Sequence, residues 1–342
     1  MNIQKRRSVV FIINPVSGIQ DKDSVIRRIE EGIDKDGIDW TIRYTGHAGH
    51  AVEIAAEAAR AGVDSVVAVG GDGTVNEAGR SLTGTDTALG ILPFGSGNGL
   101  ARHLQIPMDT RKALEVINEG LIEQVDCGKI NGTPFFCTCG VGFDAFISFK
   151  FAEAGKRGML TYFEKTLLEA LNYQPETYEL ETEGGKVKYK AFLIACGNAS
   201  QYGNNAYIAP RATITDGLLD VTILEPFTVL DVPSLAFQLF NRTIDYNSRI
   251  KTFRCKSLRI RRAEPGVAHY DGEPMVTGAD IHVEIINRKL NMVVPREKEK
   301  DATGMLSTAA DFFSGIKMIN DAIVDDIVRR NKSLIRKLTK KE

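Results

Sequence analysis

The stretch Val66-Val67-Ala68-Val69-Gly70-Gly71-Asp72-Gly73-Thr74-Val75-Asn76-Glu77 passes from a short apolar, β-branched run through a glycine-rich turn into a helical pattern. The run has the length and composition of a buried strand, and its glycines permit positive φ and close backbone approach to a ligand. Thr74 and Glu77 have capping-box spacing, which predicts a helix from residue 74 whose free N–H groups face back over the turn. Such an end attracts phosphate. A plain strand-to-helix turn with a solvated Asp72 is the alternative.

Repetition weighs against that alternative. Ala88-Leu89-Gly90-Ile91-Leu92-Pro93 leads into Phe94-Gly95-Ser96-Gly97-Asn98-Gly99, and Val9-Val10-Phe11-Ile12-Ile13 leads into Asn14-Pro15-Val16-Ser17-Gly18. In a parallel α/β sheet the C-terminal ends of the strands share one edge, so the three loops can converge on one nucleotide.

Working outward, residues 1–125 alternate strand and helix patterns. Strands are expected over 9–13, 40–44, 65–69 and 88–92, with helices over 24–36, 50–61, 74–82, 98–104 and 110–118. This is the signature of a doubly wound, Rossmann-like α/β domain. Strand-like runs at 125–130, 135–141, 177–182, 189–196, 219–224, 252–260, 281–286 and 290–294 then predict a mostly antiparallel β-sandwich domain over 126–295. Helices are expected to interrupt it near 159–171 and 229–240. In the tail, 296–342, apolar residues from Leu306 to Ile327 recur at spacings of three and four before a cluster of Lys and Arg. That pattern is an amphipathic helix, suited to packing on the first domain or a second copy of the chain, or to an anionic membrane surface.

Composition sets bounds. With 342 residues, 43% of them hydrophobic, the chain can bury a core for two domains, and a net charge of −1 gives no general attraction to nucleic acid. Cys127, Cys137, Cys139, Cys196 and Cys255 show no Cys-x-x-Cys spacing and read as reduced core residues of a cytoplasmic protein. No apolar run is long enough for a membrane-spanning helix. His47 and His50 read as polar residues at a helix start rather than metal ligands.

Asn14-Pro15-x-Ser17-Gly18, Gly70-Gly71-Asp72-Gly73-Thr74-x-Asn76-Glu77 and Gly95-Ser96-Gly97-Asn98, followed by Tyr270-Asp271-Gly272-Glu273, resemble the diacylglycerol kinase and sphingosine kinase family of lipid kinases. The resemblance covers residues 9 to about 295. It implies ATP as co-substrate, Mg²⁺ as cofactor, a membrane lipid as acceptor, and catalysis in a cleft between an α/β domain and a β-sandwich at the inner face of the membrane. There is no Gly-x-x-x-x-Gly-Lys-Ser/Thr loop of the Walker type.

Carried over by motif, ATP contacts fall on Asn14, Pro15, Val16, Ser17, Gly18, Thr45, Gly71 through Glu77 (Gly71, Asp72, Gly73, Thr74, Val75, Asn76, Glu77), Ser96, Gly97 and Asn98. Arg102 is a candidate for phosphate or headgroup. A catalytic metal network is implied for Asp72, Asp126 and Glu273. Of the two acids on the Asp271-Gly272-Glu273 turn, Asp271 is the expected base, with the reverse assignment as the alternative. The block from Ala209 to Asp220 resembles the family's structural Mg²⁺ loop, with Thr213, Asp216 and Leu218 as ligands; an Asp-Gly turn is the plainer reading. The Gly95–Ala101 stretch tilts toward a sphingoid base, and the compact length toward diacylglycerol. An NAD kinase shares the Gly-Gly-Asp-Gly-Thr loop but not the Gly95–Asn98 block. A non-catalytic nucleotide-dependent membrane adaptor would be expected to lose Asp72 or the acidic turn, and both are present.

Overall fold

Strand burial explains the first unit. The computed structural model describes residues 6–15, 22–146, 148 and 173–296. β3 (Ser65–Gly70) and β4 (Ala88–Pro93) are buried along their whole length, as central strands of a sheet covered on both faces must be. β1 (Arg7–Ile13) lies beside β3, and β2 (Ile38–Tyr44) forms the edge, giving a parallel order β2-β1-β3-β4. Helices α1 (Lys22–Gly32) and α5 (Thr110–Glu119) pack together, as do α2 (His50–Arg60) and α3 (Asp72–Leu82). The sheet is doubly wound, as expected, and its strand order reverses between β1 and β3. Ligands of such sheets bind in the crevice at that reversal.

The second unit is a β-sandwich whose two sheets enclose Cys139, Val141, Tyr178, Leu180, Ile194, Leu258, Ile281 and Val283. One sheet runs β12 (Ile250–Cys255), β11 (Leu219–Leu224), β10 (Leu193–Gly197), β7 (Thr138–Gly142), β14 (Gly266–Tyr270) and β15 (Glu273–Thr277), all antiparallel. The other contains β16 (Asp280–Val293), β13 (Ser257–Arg261), β8 (Glu176–Thr182) and β9 (Gly185–Ala191), with β5 (Ile122–Ile130) along β16 and β6 (Thr133–Phe135) on β5. β16 also meets β4, with Met292 opposite Leu89, so one ten-stranded sheet runs through both units. The outer face of the six-stranded sheet carries a further apolar cluster that includes Phe192, Ala195 and Leu235, the last on the helix Val232–Phe240.

Several expected strands divide. The runs 189–196 and 252–260 break at Phe192 and Lys256, and 135–141 breaks after Phe135, because the chain there leaves one sheet for the other. Both sheets bury apolar residues, so the corner leaves no trace in periodicity. The runs 281–286 and 290–294 are instead one strand, β16, with a register shift between Ile286 and Leu290. β14 and β15 were hidden by the polar turn between them. The expected helix at 159–171, the tail helix, and Val16, Ser17 and Gly18 lie outside the described residues. Among the described residues, no helix is long and apolar enough to cross a membrane. All five cysteines are free thiols.

Candidate active site

The ends of the parallel strands are tied together by backbone bonds: Asn14 N donates to Val69 O, Thr45 N to Ile13 O, and Phe94 N to Gly70 O. Beyond them the two glycine loops stack backbone on backbone. A Cβ on Gly95 would lie 2.5 Å from Gly71 Cα, which no side chain tolerates. Asn98 folds its loop by accepting from Gly95 N at 3.0 Å and donating to Gly95 O at 2.7 Å.

Asp72 clasps the loops. Its Oδ2 accepts from Asn98 N at 2.8 Å and its Oδ1 from Gly99 N at 2.7 Å, so one carboxylate caps α4 (Gly99–His103) from outside that helix. Burial raises its pKa, the two N–H bonds oppose the rise, and the neighbouring Asp271 adds to it.

α3 begins at Asp72, not Thr74, with Gly71 as its N-cap. Its first-turn N–H groups therefore face the crevice between β1 and β3, the position for a phosphate. The expected capping box does not form. Thr74 Oγ1 instead accepts from Asn14 Nδ2 at 3.3 Å, and Glu77 accepts from Gly49 N at 2.9 Å and Ala51 N at 3.2 Å. Glu77 thus caps the neighbouring helix α2, whose N-cap Gly49 offers no side chain. Three expected ATP contacts are engaged elsewhere: Glu77 at that cap, Val75 in the apolar core, and Asn76 in a clasp to the second unit. Asn14, Pro15, Thr45, Gly71, Gly73, Thr74, Ser96, Gly97 and Asn98 remain around the crevice, with Ser96 exposed at a loop tip.

The acidic turn comes from the second unit. Asp271 and Gly272, at φ 47° and 84°, make a two-residue hairpin between β14 and β15, with Tyr270 paired to Glu273. Because the chain reverses there, the two acids face different surroundings and do not share a strand face. Asp271 Oδ2 accepts from Asn76 Nδ2 and Phe136 N, both at 2.8 Å; its Oδ1 accepts from Cys137 N at 2.7 Å and Thr138 N at 3.1 Å. Four donors occupy the lone pairs of this carboxylate, tying it to α3 and to the Phe136–Thr138 backbone. Its pKa is raised by burial and lowered by those bonds.

Glu273 is placed differently. Its Oε1 would be 3.2 Å from a Cβ on Gly73, so the carboxylate lies over the first turn of α3, and the residue reaches solvent. Desolvation and repulsion from Glu77 and Asp271 raise its pKa, against the pull of Arg80. A carboxylate with raised pKa is suited to take a proton from an acceptor hydroxyl. Glu273 and Asp72 present hard oxygen donors, as a magnesium ion on nucleotide phosphates requires.

Asp126 does not join them. This buried residue accepts from Arg288 N on Oδ1 and from Gly217 N on Oδ2, both at 2.7 Å. It fills the break in the β5–β16 ladder, where Arg288 takes φ 46°, and docks the loop containing Gly217. The structural Mg²⁺ ligand set does not fit either. Asp216 Oδ1 accepts from Leu218 N at 3.1 Å, and Asp216 Oδ2 faces Arg254 Nη1 at 3.5 Å. Arg254 also bonds Asp220 Oδ1 at 2.9 Å and Arg211 O at 2.7 Å, so a guanidinium already faces the Asp216 carboxylate that was to hold the cation with Thr213 and Leu218.

Two further groupings lie outside the crevice. Asp144 Oδ2 lies 3.1 Å from His269 Nε2 and accepts from Tyr202 OH at 3.1 Å, in a buried cluster one residue from Tyr270-Asp271. Its members come from segments more than 50 residues apart. Glu53 joins His47 and His50, with ligand atoms within 4.8 Å of one another. His50 Nδ1 already accepts from Gly46 N at 2.9 Å, which leaves that neutral imidazole without a lone pair for a metal.

The sequence profile of the diacylglycerol kinase catalytic domain matches residues 8–130, and that of the YegS C-terminal NAD kinase β-sandwich-like domain matches residues 138–294. The chain is a member of the YegS/diacylglycerol kinase family of lipid kinases. Within this family it is 30% identical to the YegS-type lipid kinase of Salmonella arizonae over 267 residues, covering 76% of this chain and 88% of that protein. It is 26% identical to a diacylglycerol kinase of Bacillus subtilis over 301 residues, 86% and 98% of the two chains. The fold matches a crystal structure of a diacylglycerol kinase from Bacillus anthracis, with a TM-score of 0.65 and 22% identity over 85% of this chain and 97% of the other. As a lipid kinase family member, the chain is a phosphotransferase.

Proposed function

We propose that this chain transfers the γ-phosphate of ATP to a free hydroxyl of a membrane diacylglycerol, working as a peripheral protein at the membrane surface. The observation that carries this reading is the meeting of the α3 N-terminus, at the end of β3, with Glu273 from the β-sandwich. The helix end receives phosphate, and Glu273 removes the proton of the acceptor hydroxyl. Asp72 fixes the Gly95–Gly99 loop so that its glycine backbone approaches the nucleotide. Magnesium held by Asp72 would neutralise charge on the transferring phosphoryl oxygens. Diacylglycerol is favoured over a sphingoid base by the name of the Bacillus subtilis relative, which aligns over 98% of its length.

The test is transfer of label from γ-labelled ATP to mixed micelles of diacylglycerol, sphingosine, dihydrosphingosine and ceramide, with and without Mg²⁺ and with NAD as soluble control. Label in diacylglycerol supports the reading, label in a sphingoid base moves the acceptor, and label in NAD alone overturns it.

A further inference from the structure

A second polar cavity opens on the far side of α4. It has a volume of about 170 Å³, and Arg102, His103, Gln105, Ser200, Tyr207 and Arg242 line it among the described residues. Two of these have unusual backbones. Among the described residues, the only left-handed ones other than glycine, Asn and Asp are Gln105, Arg242 and Arg288, at φ 59°, 58° and 46°. Arg288 belongs to the bulge that Asp126 satisfies. Gln105 and Arg242 both line this cavity.

Each of the two follows a helix at the position where glycine ordinarily ends it. α4 closes with Ile106 N donating to Ala101 O at 2.8 Å, and the helix Val232–Phe240 with Thr243 N donating to Gln238 O at 2.9 Å. Both are Schellman closures, whose left-handed residue is usually glycine because a Cβ is strained there. Here both positions carry long polar side chains. Strain retained at two independent helix ends facing one cavity points to a use for the side chains.

The cavity is equipped for an anion. The Arg242 guanidinium stacks 4.2 Å from the centre of the Tyr207 ring and donates to Tyr207 Oη at 2.7 Å, so its plane is fixed. His103 Nδ1 accepts from Ser200 N at 3.1 Å, which puts the imidazole proton on Nε2. Among the described residues the buried Gln105 Oε1 has no hydrogen-bond partner, so it can accept from a ligand donor. Two arginines with a hydroxyl-accepting amide suit a phosphate group that carries an O–H. Arg102 Nε also donates to Gly97 O at 3.0 Å, which connects the cavity to the loop that Asp72 holds.

We propose that this cavity is a second phosphate site, distinct from the nucleotide crevice, taking a phosphomonoester or inorganic phosphate through Arg102, Arg242 and Gln105. It does not depend on the identity of the acceptor lipid. The test uses the full chain with the nucleotide crevice saturated by a non-hydrolysable ATP analogue. Inorganic phosphate is titrated by calorimetry, and binding to phosphatidylcholine vesicles is measured with and without phosphatidic acid.

Arg242→Gly and Gln105→Gly relieve backbone strain, so both are expected to keep or raise Tm while weakening phosphate affinity about tenfold or more. Loss of inorganic phosphate binding in both variants identifies a free anion as ligand, and loss only of phosphatidic acid binding identifies a headgroup. Wild-type protein that binds neither probe, or glycine variants that bind as wild type does, overturn the proposal.

Discussion

Asn76 Nδ2 and Asp271 Oδ2 are hydrogen-bonded at 2.8 Å although they lie 195 residues apart, one on α3 and the other on the β14–β15 hairpin. This bond fixes the acidic turn against the helix whose N-terminus faces the crevice. It also commits Asp271 to holding the two units together, leaving Glu273 as the acid that reaches the site.

Substitution at the two acids should therefore separate stability from catalysis. In Asp271→Asn the new NH₂ faces backbone and side-chain donors, and the expected loss is about 2–4 kcal/mol of stability. Glu273→Gln removes a proton acceptor without disturbing a clasp, so kcat should fall about 10²–10⁴-fold with the fold intact. Urea unfolding and steady-state kinetics on both variants check this.

The raised pKa of Glu273 sets a pH signature. A base must be deprotonated, so kcat should rise with pH through a value above the ordinary glutamate range. The stability effect has the opposite sign: a carboxyl with a higher pKa in the folded than in the unfolded protein binds protons on folding, so its charge destabilises the native state at neutral pH. Glu273→Gln should accordingly raise Tm near neutrality, with the gain shrinking as the pH falls through the folded pKa. Thermal melts of wild type and variant across pH measure it.

Gly95 is a steric requirement. A Cβ there meets Gly71 backbone at 2.5 Å, and backbone cannot swing aside as a side-chain tip can. Gly95→Ala should cost about 3 kcal/mol. Gly73→Ala meets only the movable end of Glu273 at 3.2 Å, so it should fold normally and lose turnover. Melting temperatures beside rates separate the two.

Much of this architecture was legible from local signals. The β3 run and its Gly-Gly-Asp-Gly turn identified the nucleotide-type sheet because parallel strands buried on both faces are continuously apolar and glycines mark close approach. The partners of each acid were not legible, since they arise from tertiary contacts. Glu77 has capping-box spacing to Thr74, yet it caps α2 because Gly49 leaves that helix end without a side-chain acceptor. The resemblance implies a metal network for Asp126, yet a bulge visible only in the β5–β16 register engages both its oxygens with backbone N–H groups. A guanidinium 38 residues along the chain from Asp216 could not be seen from the Ala209–Asp220 block alone.

Arg254 yields its own prediction. With a guanidinium already beside Asp216 and Asp220, chelation of divalent ions in the absence of nucleotide should leave the wild-type Tm unchanged. Arg254→Gln should lower stability by about 1 kcal/mol or less, the group being partly exposed, and should make Tm sensitive to added Mg²⁺. Melts with EDTA and with Mg²⁺ decide it.

The most direct measurement is label transfer from γ-labelled ATP to diacylglycerol micelles by wild type, Glu273→Gln and Asp271→Asn, each normalised to folded protein. Label in the lipid with wild type, loss of about 10²-fold or more with Glu273→Gln, and substantial turnover per folded molecule with Asp271→Asn are the predicted results. Wild-type turnover by Glu273→Gln, or no label in any lipid, would contradict the account.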